Sequence, residues 1–189
     1  MKRAIFIATI FATAVFAACT AGNFDFRIID NTPGAGGTAV EITWYTGRSR
    51  RVRIPPTIQN LPVTRIGAEA FYHSRLTDVI IPDGVTHIGY GAFMGNRLTS
   101  VNIPGSVEHI GNGAFMGNRL TSVVIPGSVT VIPRWAFSHN LLTDVCIPGN
   151  VATIGIGAFW DNRLTNVSVP SHAEIHPDAF DPGVTVTRR

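Results

Sequence analysis

Charged residues are scarce in this sequence. Asp, Glu, Lys and Arg make up 14% of its 189 residues, and Lys2 is the only lysine. The formal charge of +3 comes from 15 basic and 12 acidic residues, and it falls to +1 when Lys2 and Arg3 are set aside as part of a cleaved leader. A nucleic-acid-binding domain needs a larger basic excess, so the composition argues against that class of protein and predicts no nucleic-acid partner.

Cysteine is nearly absent as well. Cys19 and Cys146 are the only two, which is too few for a disulfide framework, and Cys146 has no partner if Cys19 is modified. The sequence also lacks a long hydrophobic span. Its longest apolar run, Ala4 to Ala18, includes threonines and is too short to cross a bilayer. These shortages leave an apolar chain, 45% hydrophobic, whose outer surface must be covered by Thr, Ser, Asn and Gly.

Residues 1–18 have the features of a secretory signal, because two basic residues precede the apolar run and small residues end it. The tetrapeptide Phe16-Ala17-Ala18-Cys19 resembles a bacterial lipobox, in which the peptidase cuts before a cysteine that carries a diacylglyceryl group. The resemblance implies lipidation of Cys19, a short linker over residues 19–23, and an exported protein anchored by lipid in the cell envelope, on its outer surface. Ordinary cleavage after an A-x-A-like site is the alternative.

A repeat dominates the rest of the chain. The nine residues AFMGNRLTS occur at 92–100 and again at 114–122. A phenylalanine recurs with a step of 22 residues, and the last one comes one residue early: Phe71, Phe93, Phe115, Phe137, Phe159 and Phe180. An Ile-Pro or Val-Pro pair follows the same step. A fixed period of this length predicts a solenoid, in which each repeat forms one coil stacked on its neighbours.

One coil, residues 103–124, reads IPGSVEHIGNGAFMGNRLTSVV. The segment Leu120 to Ile125 alternates as a strand that lines a core, and Pro126-Gly127 turns the chain. Ala114-Phe115 is expected to begin a helical turn that fills the coil. A recurring asparagine (Asn96, Asn118, Asn140 and Asn162) is expected to pair with backbone groups of adjacent coils. A glycine column (Gly67, Gly89, Gly111, Gly155) holds Pro133 in one coil, so its φ is expected to be negative and its glycines to serve close packing.

The pattern L-x-x-V-x-I-P…V-x-x-I-G-x-x-A-F-x-x-N is similar to the Treponema-type leucine-rich repeats of BspA-like bacterial surface antigens. The resemblance covers Ile54 to about Phe180. It implies a β-rich α/β solenoid, a right-handed superhelix with a parallel sheet on the concave face and short helical turns. It divides the chain into an N-terminal cap over 24–53 and a solenoid with its C-terminal cap over 54–189. Ile54 to Ile66 is a step of 12 where later coils have 7, so the first coil carries a five-residue insertion.

The outward positions of the predicted strands form the candidate binding surface, which we call the strand face. Its residues are small, polar and almost uncharged: Thr77, Asp78, Thr99, Ser100, Asn102, Thr121, Ser122, Thr143, Asp144, Thr165 and Asn166. A solvated sheet without a partner explains this composition as well as a binding surface does. Solenoids of this kind commonly bind partners in their concavity.

An arginine row precedes the same strands. Arg75, Arg97, Arg119 and Arg163 share one column, which Leu141 interrupts. Either the row forms an anion-binding ledge for a sulfated glycan or an acidic partner segment, or its apolar stems cover the sheet edge while the guanidinium groups are hydrated or pair with carboxylates such as Asp161.

No catalytic or metal site is predicted. His87 and His109 share a column, about 5 Å apart, but no third ligand is in register with them, and no base is placed to activate Ser100 or Ser122. We expect no cofactor and no enzyme activity. The predicted function is that of a surface-displayed, lipid-anchored module that mediates adhesion by binding another macromolecule. The expected partner is a protein, such as a host matrix protein. The alternatives are a periplasm-facing scaffolding lipoprotein and a glycan-binding module.

Overall fold

A computed structural model describes residues 19–30 and 37–189. Within these residues the chain forms sixteen short strands and no helix. In chain order they are β1 (Cys19–Ala21), β2 (Phe24–Asp30), β3 (Thr38–Tyr45), β4 (Arg51–Arg53), β5 (Thr57–Ile58), β6 (Leu61–Ile66), β7 (Asp78–Ile80), β8 (His87–Ile88), β9 (His109–Ile110), β10 (Ser122–Val124), β11 (Val131–Ile132), β12 (Asp144–Cys146), β13 (Thr153–Ile154), β14 (Asn166–Val169), β15 (Glu174–Ile175) and β16 (Thr185–Arg188). The predicted signal, residues 1–18, lies outside the described part.

The N-terminal segment is antiparallel, and the strands of successive coils pair in parallel. Strand β1 pairs with β2 and β2 with β3, both antiparallel, whereas β3 pairs parallel with β6. The aromatic rings of Phe24 and Tyr45 reach the first phenylalanine of the solenoid, with Tyr45 stacked on Phe71 at 5.5 Å between ring centroids. This segment therefore covers the open end of the core, as an end unit of a solenoid must.

Most coils contribute two short strands, which pair in parallel with those of neighbouring coils. One set lies on the strand face, as the pairs β4–β7, β10–β12 and β14–β16. The other set forms two rows of neighbouring strands, in the order β6, β8, β9 and in the order β11, β13, β15. Between β7 and β10, residues 99–103 form no regular strand, although the Thr121 amide still donates to the Thr99 carbonyl (3.4 Å). The predicted sheet is therefore a series of short parallel pairs.

The insertion in the first coil is a hairpin. Strand β5 pairs antiparallel with β6, with Ile58 opposite Leu61. The two residues between them, Gln59 and Asn60, both have positive φ (52° and 63°), as a tight hairpin turn requires. The insertion also changes the register on the strand face, because Arg51 of β4 lies opposite Asp78 of β7, a step of 27 residues instead of 22.

The expected helical turn is wrong, and with it the α/β description. The Ala114 amide donates to Gly111 and the Met116 amide to Gly113, so two overlapping β-turns replace a helix. Gly113 has a φ of 63° and Gly117 one of 67°, a conformation that cannot continue a right-handed helix. The Phe115 amide instead donates to Ala136 of the next coil (2.9 Å). The backbone hydrogen bonds that a helix would use are made between coils, and the fold is a β-solenoid.

The phenylalanine column forms the centre of the core. The six rings from Phe71 to Phe180 stack face to face with centroids 5.1–5.7 Å apart and planes 3–15° from parallel. Five of them are fully buried, and Phe180 is 7% exposed. The predicted register is confirmed, and each ring packs between the rings of its two neighbours, so that the stability of one coil depends on the next.

The asparagine column pairs with backbone groups as predicted. Asn118 accepts the Leu98 amide of the preceding coil through Oδ1 (3.1 Å) and donates through Nδ2 to the carbonyls of Phe93 (2.9 Å) and Phe115 (3.0 Å). The same three contacts recur at Asn96, Asn140 and Asn162. This ladder satisfies buried groups that no strand pairs.

The glycine column serves close packing. Gly111 has a negative or extended φ, and a Cβ placed on it would lie 2.5 Å from backbone atoms of Gly89 and Tyr90 in the preceding coil. Gly89 is in the same position against Gly67 and Ala68. The prediction from Pro133 is therefore confirmed.

Candidate functional site

The predicted strand face exists as one exposed surface. All eleven candidate residues from Thr77 to Asn166 are exposed, while the valines between them point into the core. Register pairs such as Ser122 with Asp144 place equivalent side chains side by side on neighbouring coils. The repeat thus brings residues up to 89 positions apart in sequence onto one surface, where they lie in rows across the strands.

An apolar column borders this surface at the far end of the strands, and sequence reasoning did not single it out. Ile80 is 42% exposed and Val124 is 66% exposed, and Cys146 is an exposed free thiol next to Val124 in the register. The column could have been found from the sequence, because its residues occupy the outward position two residues after each Thr-Ser or Thr-Asp pair. We call Ile80, Val124 and Cys146 the apolar column, which Asn102 interrupts between Ile80 and Val124. Exposed aliphatic groups beside a polar surface are typical of protein-binding patches.

The arginine row lies on the opposite border. Arg75, Arg97, Arg119 and Arg163 are all exposed. The backbone aligns them, because the amides of Arg97, Arg119 and Arg163 each donate to a leucine carbonyl of the preceding coil (2.8–2.9 Å). Leu141 occupies the gap and is half-buried.

The suggested pairing of Arg163 with Asp161 is not found. Asp161 lies instead 3.8 Å from His139 Nε2. Across residues 19–30 and 37–189, none of the four arginines of the row comes within 4.0 Å of a carboxylate oxygen. The row is thus without the acidic partners that would neutralise it.

A groove of about 490 Å³ joins part of the row to the strand face. Its walls and floor come from three coils and from β4: Arg51, Thr77, Asp78, Arg97, Thr99, Ser100 and Arg119. We call this the arginine groove. Arg51 is the member that sequence reasoning missed, because the five-residue insertion displaces it from the 22-residue column. Arg75 belongs to the row but does not line the groove, and Arg163 lies beyond the Leu141 gap.

The histidine pair stands on the other set of strands. His87 lies opposite His109, with ring centroids 4.4 Å apart, and opposite Arg65 on its other side. Partial burial, together with the Arg65 and His109 charges, lowers the pKa of His87 below its ordinary value of 6.5. In the described part of the chain, no group of three or more His, Cys, Asp or Glu side chains is placed to hold a metal ion.

Known proteins show the same repeat. A family model for the BspA-type leucine-rich repeat region matches residues 64–184 in six copies. The chain belongs to the BspA-type leucine-rich repeat family. This is consistent with a protein-binding role, because leucine-rich repeats in general mediate protein–protein contacts and are not, in general, enzymes.

The chain is similar to several solved structures, and the first of them supports the fold. A leucine-rich repeat protein of Treponema pallidum is 23% identical, with a TM-score of 0.56 over 89% of this chain and 92% of its own. A leucine-rich cell surface protein of Faecalibacterium prausnitzii is 18% identical over 90% of this chain and 87% of its own, with a TM-score of 0.32. A leucine-rich repeat protein of Bacteroides capillosus is 18% identical over 91% and 98%, with a TM-score of 0.33.

No curated protein matches the sequence significantly. Among the described residues, no helix has the length and apolar character needed to cross a membrane.

Proposed function

We propose that this BspA-type repeat protein is exported, anchored to the cell envelope through a lipid on Cys19, and displayed on the outer surface, where it binds a host matrix protein without chemistry. The observation that carries the binding proposal is the strand face, a continuous exposed surface with a polar centre and the apolar column at its border. The signal-like residues 1–18 and the lipobox-like sequence before Cys19 support the export and anchoring.

The polar centre and the apolar column have complementary roles in such contacts. Rows of hydroxyl and amide groups form hydrogen bonds that orient a partner, whereas desolvated aliphatic side chains supply most of the affinity. Val124 lies in the third coil and is the most exposed large apolar residue of the described chain. A protein partner that covers the middle of the strand face is expected to bury it.

Binding is tested with a panel of purified extracellular matrix proteins on a sensor surface. The variant Val124→Glu places a charge in the apolar column of the proposed interface and is expected to weaken binding by about tenfold or more, since a buried charge without a partner is costly. The matched control is Val131→Glu, because Val131 is also exposed (48%) but lies on the other set of strands. Equal binding by both variants would contradict a role for the strand face.

Anchoring is tested separately. Cys19→Ala is expected to move the protein from the membrane fraction to the soluble fraction and to abolish incorporation of a labelled fatty acid. A mature protein that begins at another residue and carries no lipid would refute the anchor.

Display is tested by brief protease treatment of intact cells followed by immunodetection. Loss of the protein supports display on the outer surface, and full protection would indicate the periplasm-facing scaffold.

A further inference from the structure

The described chain concentrates its arginines at the N-terminal end of the strand face. Seven exposed arginines lie there, on the segment that leads into β4 and on the next three coils: Arg48, Arg50, Arg51, Arg53, Arg75, Arg97 and Arg119. The arginine groove contains one carboxylate, that of Asp78. The chain without Lys2 and Arg3 has a formal charge of only +1, so the cluster reflects a local arrangement and not the overall charge.

The 27-residue register assembles this cluster. Arg51 lies directly opposite Asp78, and one position earlier the Arg50 carbonyl accepts the Thr77 amide (2.8 Å). Neighbouring strands are about 4.8 Å apart, so from Arg51 to Arg119 the groove crosses three strand spacings, about 14 Å along the solenoid axis. Arginines on adjacent coils, such as Arg97 and Arg119, are therefore within the Debye length of about 8 Å at physiological salt and act on a ligand together, whereas the two ends of the groove are further apart than that length.

The floor of the groove has hydroxyl groups and no apolar recess. Thr77, Thr99 and Ser100 supply it, and the remaining lining is three arginines and Asp78. A groove of this chemistry offers a ligand many hydrogen bonds and charge contacts but no pocket for an apolar anchor. High-affinity protein segments depend on such anchors.

We propose that the arginine groove binds a linear sulfated polysaccharide, laid along the solenoid axis. Guanidinium groups donate forked hydrogen bonds to oxyanions, and the threonine and serine hydroxyls pair with the hydroxyls of the sugar. An extended acidic peptide fits less well, because the groove offers no apolar recess for the side chains that anchor a protein segment. This binding goes beyond the proposed protein partner and does not require it.

Immobilised heparin is the probe, with chemically desulfated heparin and poly-glutamate as comparison ligands. The variant Arg97→Gln/Arg119→Gln removes two arginines from the groove wall. The control Arg134→Gln/Arg163→Gln removes the same charge from exposed positions outside the groove. Because all four side chains are exposed, both variants are expected to melt like the parent protein.

The parent protein is expected to bind heparin with a steep salt dependence and to bind desulfated heparin and poly-glutamate weakly. The groove variant is expected to lose roughly 10- to 100-fold in affinity and to have a salt slope lower by about two, one per lost contact, while the control changes by less than about threefold. Arg119→Gln alone, the second variant, is expected to lower the slope by about one.

Equal losses in the groove and control variants would overturn the proposal, as would equal binding of desulfated heparin. Stronger binding of poly-glutamate than of heparin would also overturn it and would indicate an acidic protein segment. Val124→Glu is expected to retain heparin binding, so failure of this proposal and failure of the proposed protein-binding function give different results.

Discussion

The buried and exposed columns of the same coils differ in how much their residues vary. The core column is phenylalanine in all six repeats, and the buried asparagine is the same in four consecutive coils. The exposed column at the end of the strands contains Ile80, Asn102, Val124 and Cys146, four different residue types at equivalent positions. Identical stacking partners restrict the interior, whereas solvent on the outer side accepts any small or polar side chain. The differences between coils, and with them the surface that distinguishes partners, therefore lie on the exposed columns.

The largest effect is expected from Phe115→Ala. Phe115 is fully buried between Phe93 and Phe137, so its removal leaves a cavity that two coils share. The free energy of unfolding should fall by about 3–5 kcal/mol. Urea denaturation followed by circular dichroism measures it, with Val124→Ala on the exposed side as the control. An unchanged midpoint for Phe115→Ala would mean that the interior is as tolerant as the surface.

The next effect is expected from Asn118→Leu. The substitution leaves the Leu98 amide without its side-chain partner, and a buried unpaired group costs about 1–3 kcal/mol. The carbonyls of Phe93 and Phe115 each lose one of two side-chain donors, because Asn96 and Asn140 still donate to them. We expect a destabilisation of about 2–4 kcal/mol, together with faster hydrogen exchange of the Leu98 amide. Protection of that amide equal to the parent's would contradict the ladder.

A smaller effect is expected from Gly111→Ala. The added Cβ would lie 2.5 Å from the backbone of the preceding coil, so the two coils must separate slightly, at a cost of about 1–3 kcal/mol. Gly127→Ala is the matched control, because a Cβ on Gly127 would have no heavy atom within 4 Å. Thermal melts of the two variants compare the effect of one added methyl group inside the stack of coils with its effect on the surface.

The smallest effect concerns pH. Because the folded protein lowers the pKa of His87 below 6.5, the unfolded chain binds the proton more readily, and stability should fall as the pH drops from about 7 through 6.5 toward the folded pKa. His87→Gln should reduce this loss of stability. His172→Gln should not, because His172 is exposed and lies away from the His87–His109 pair. Urea midpoints at pH 7.5 and 5.5 test it. A pH dependence unchanged in His87→Gln would place the titrating group elsewhere.

Most of the core could be predicted from the sequence, because a fixed period and a one-sided apolar pattern are visible in the sequence itself. Phe115, Asn118 and Gly111 all have the roles that their columns predicted. The helical turn at Ala114 could not be judged in this way, since alanine and phenylalanine are compatible with either conformation. The positive φ of Gly113 and the hydrogen bond from the Phe115 amide to the Ala136 carbonyl both depend on the next coil.

The candidate surface was partly predictable. The strand face and the arginine row follow from the 22-residue step, and the structure places all of their residues on the outside. The groove does not follow from that step. Arg51 reaches it because residues 57–66 fold back as a hairpin and shift the first strand by five positions. A sequence shows that an insertion is present but not which side of the coil takes it up.

The sequence by itself determined the period, the buried columns and the exposed rows, because each coil repeats the same local steric and hydrogen-bonding requirements. Only the tertiary structure decided that the backbone between strands forms β-turns and not a helix, and that Arg51 lies opposite Asp78 on the neighbouring strand. Both outcomes depend on hydrogen bonds between coils more than twenty residues apart, and the energy of such a bond is set by the position of its distant partner.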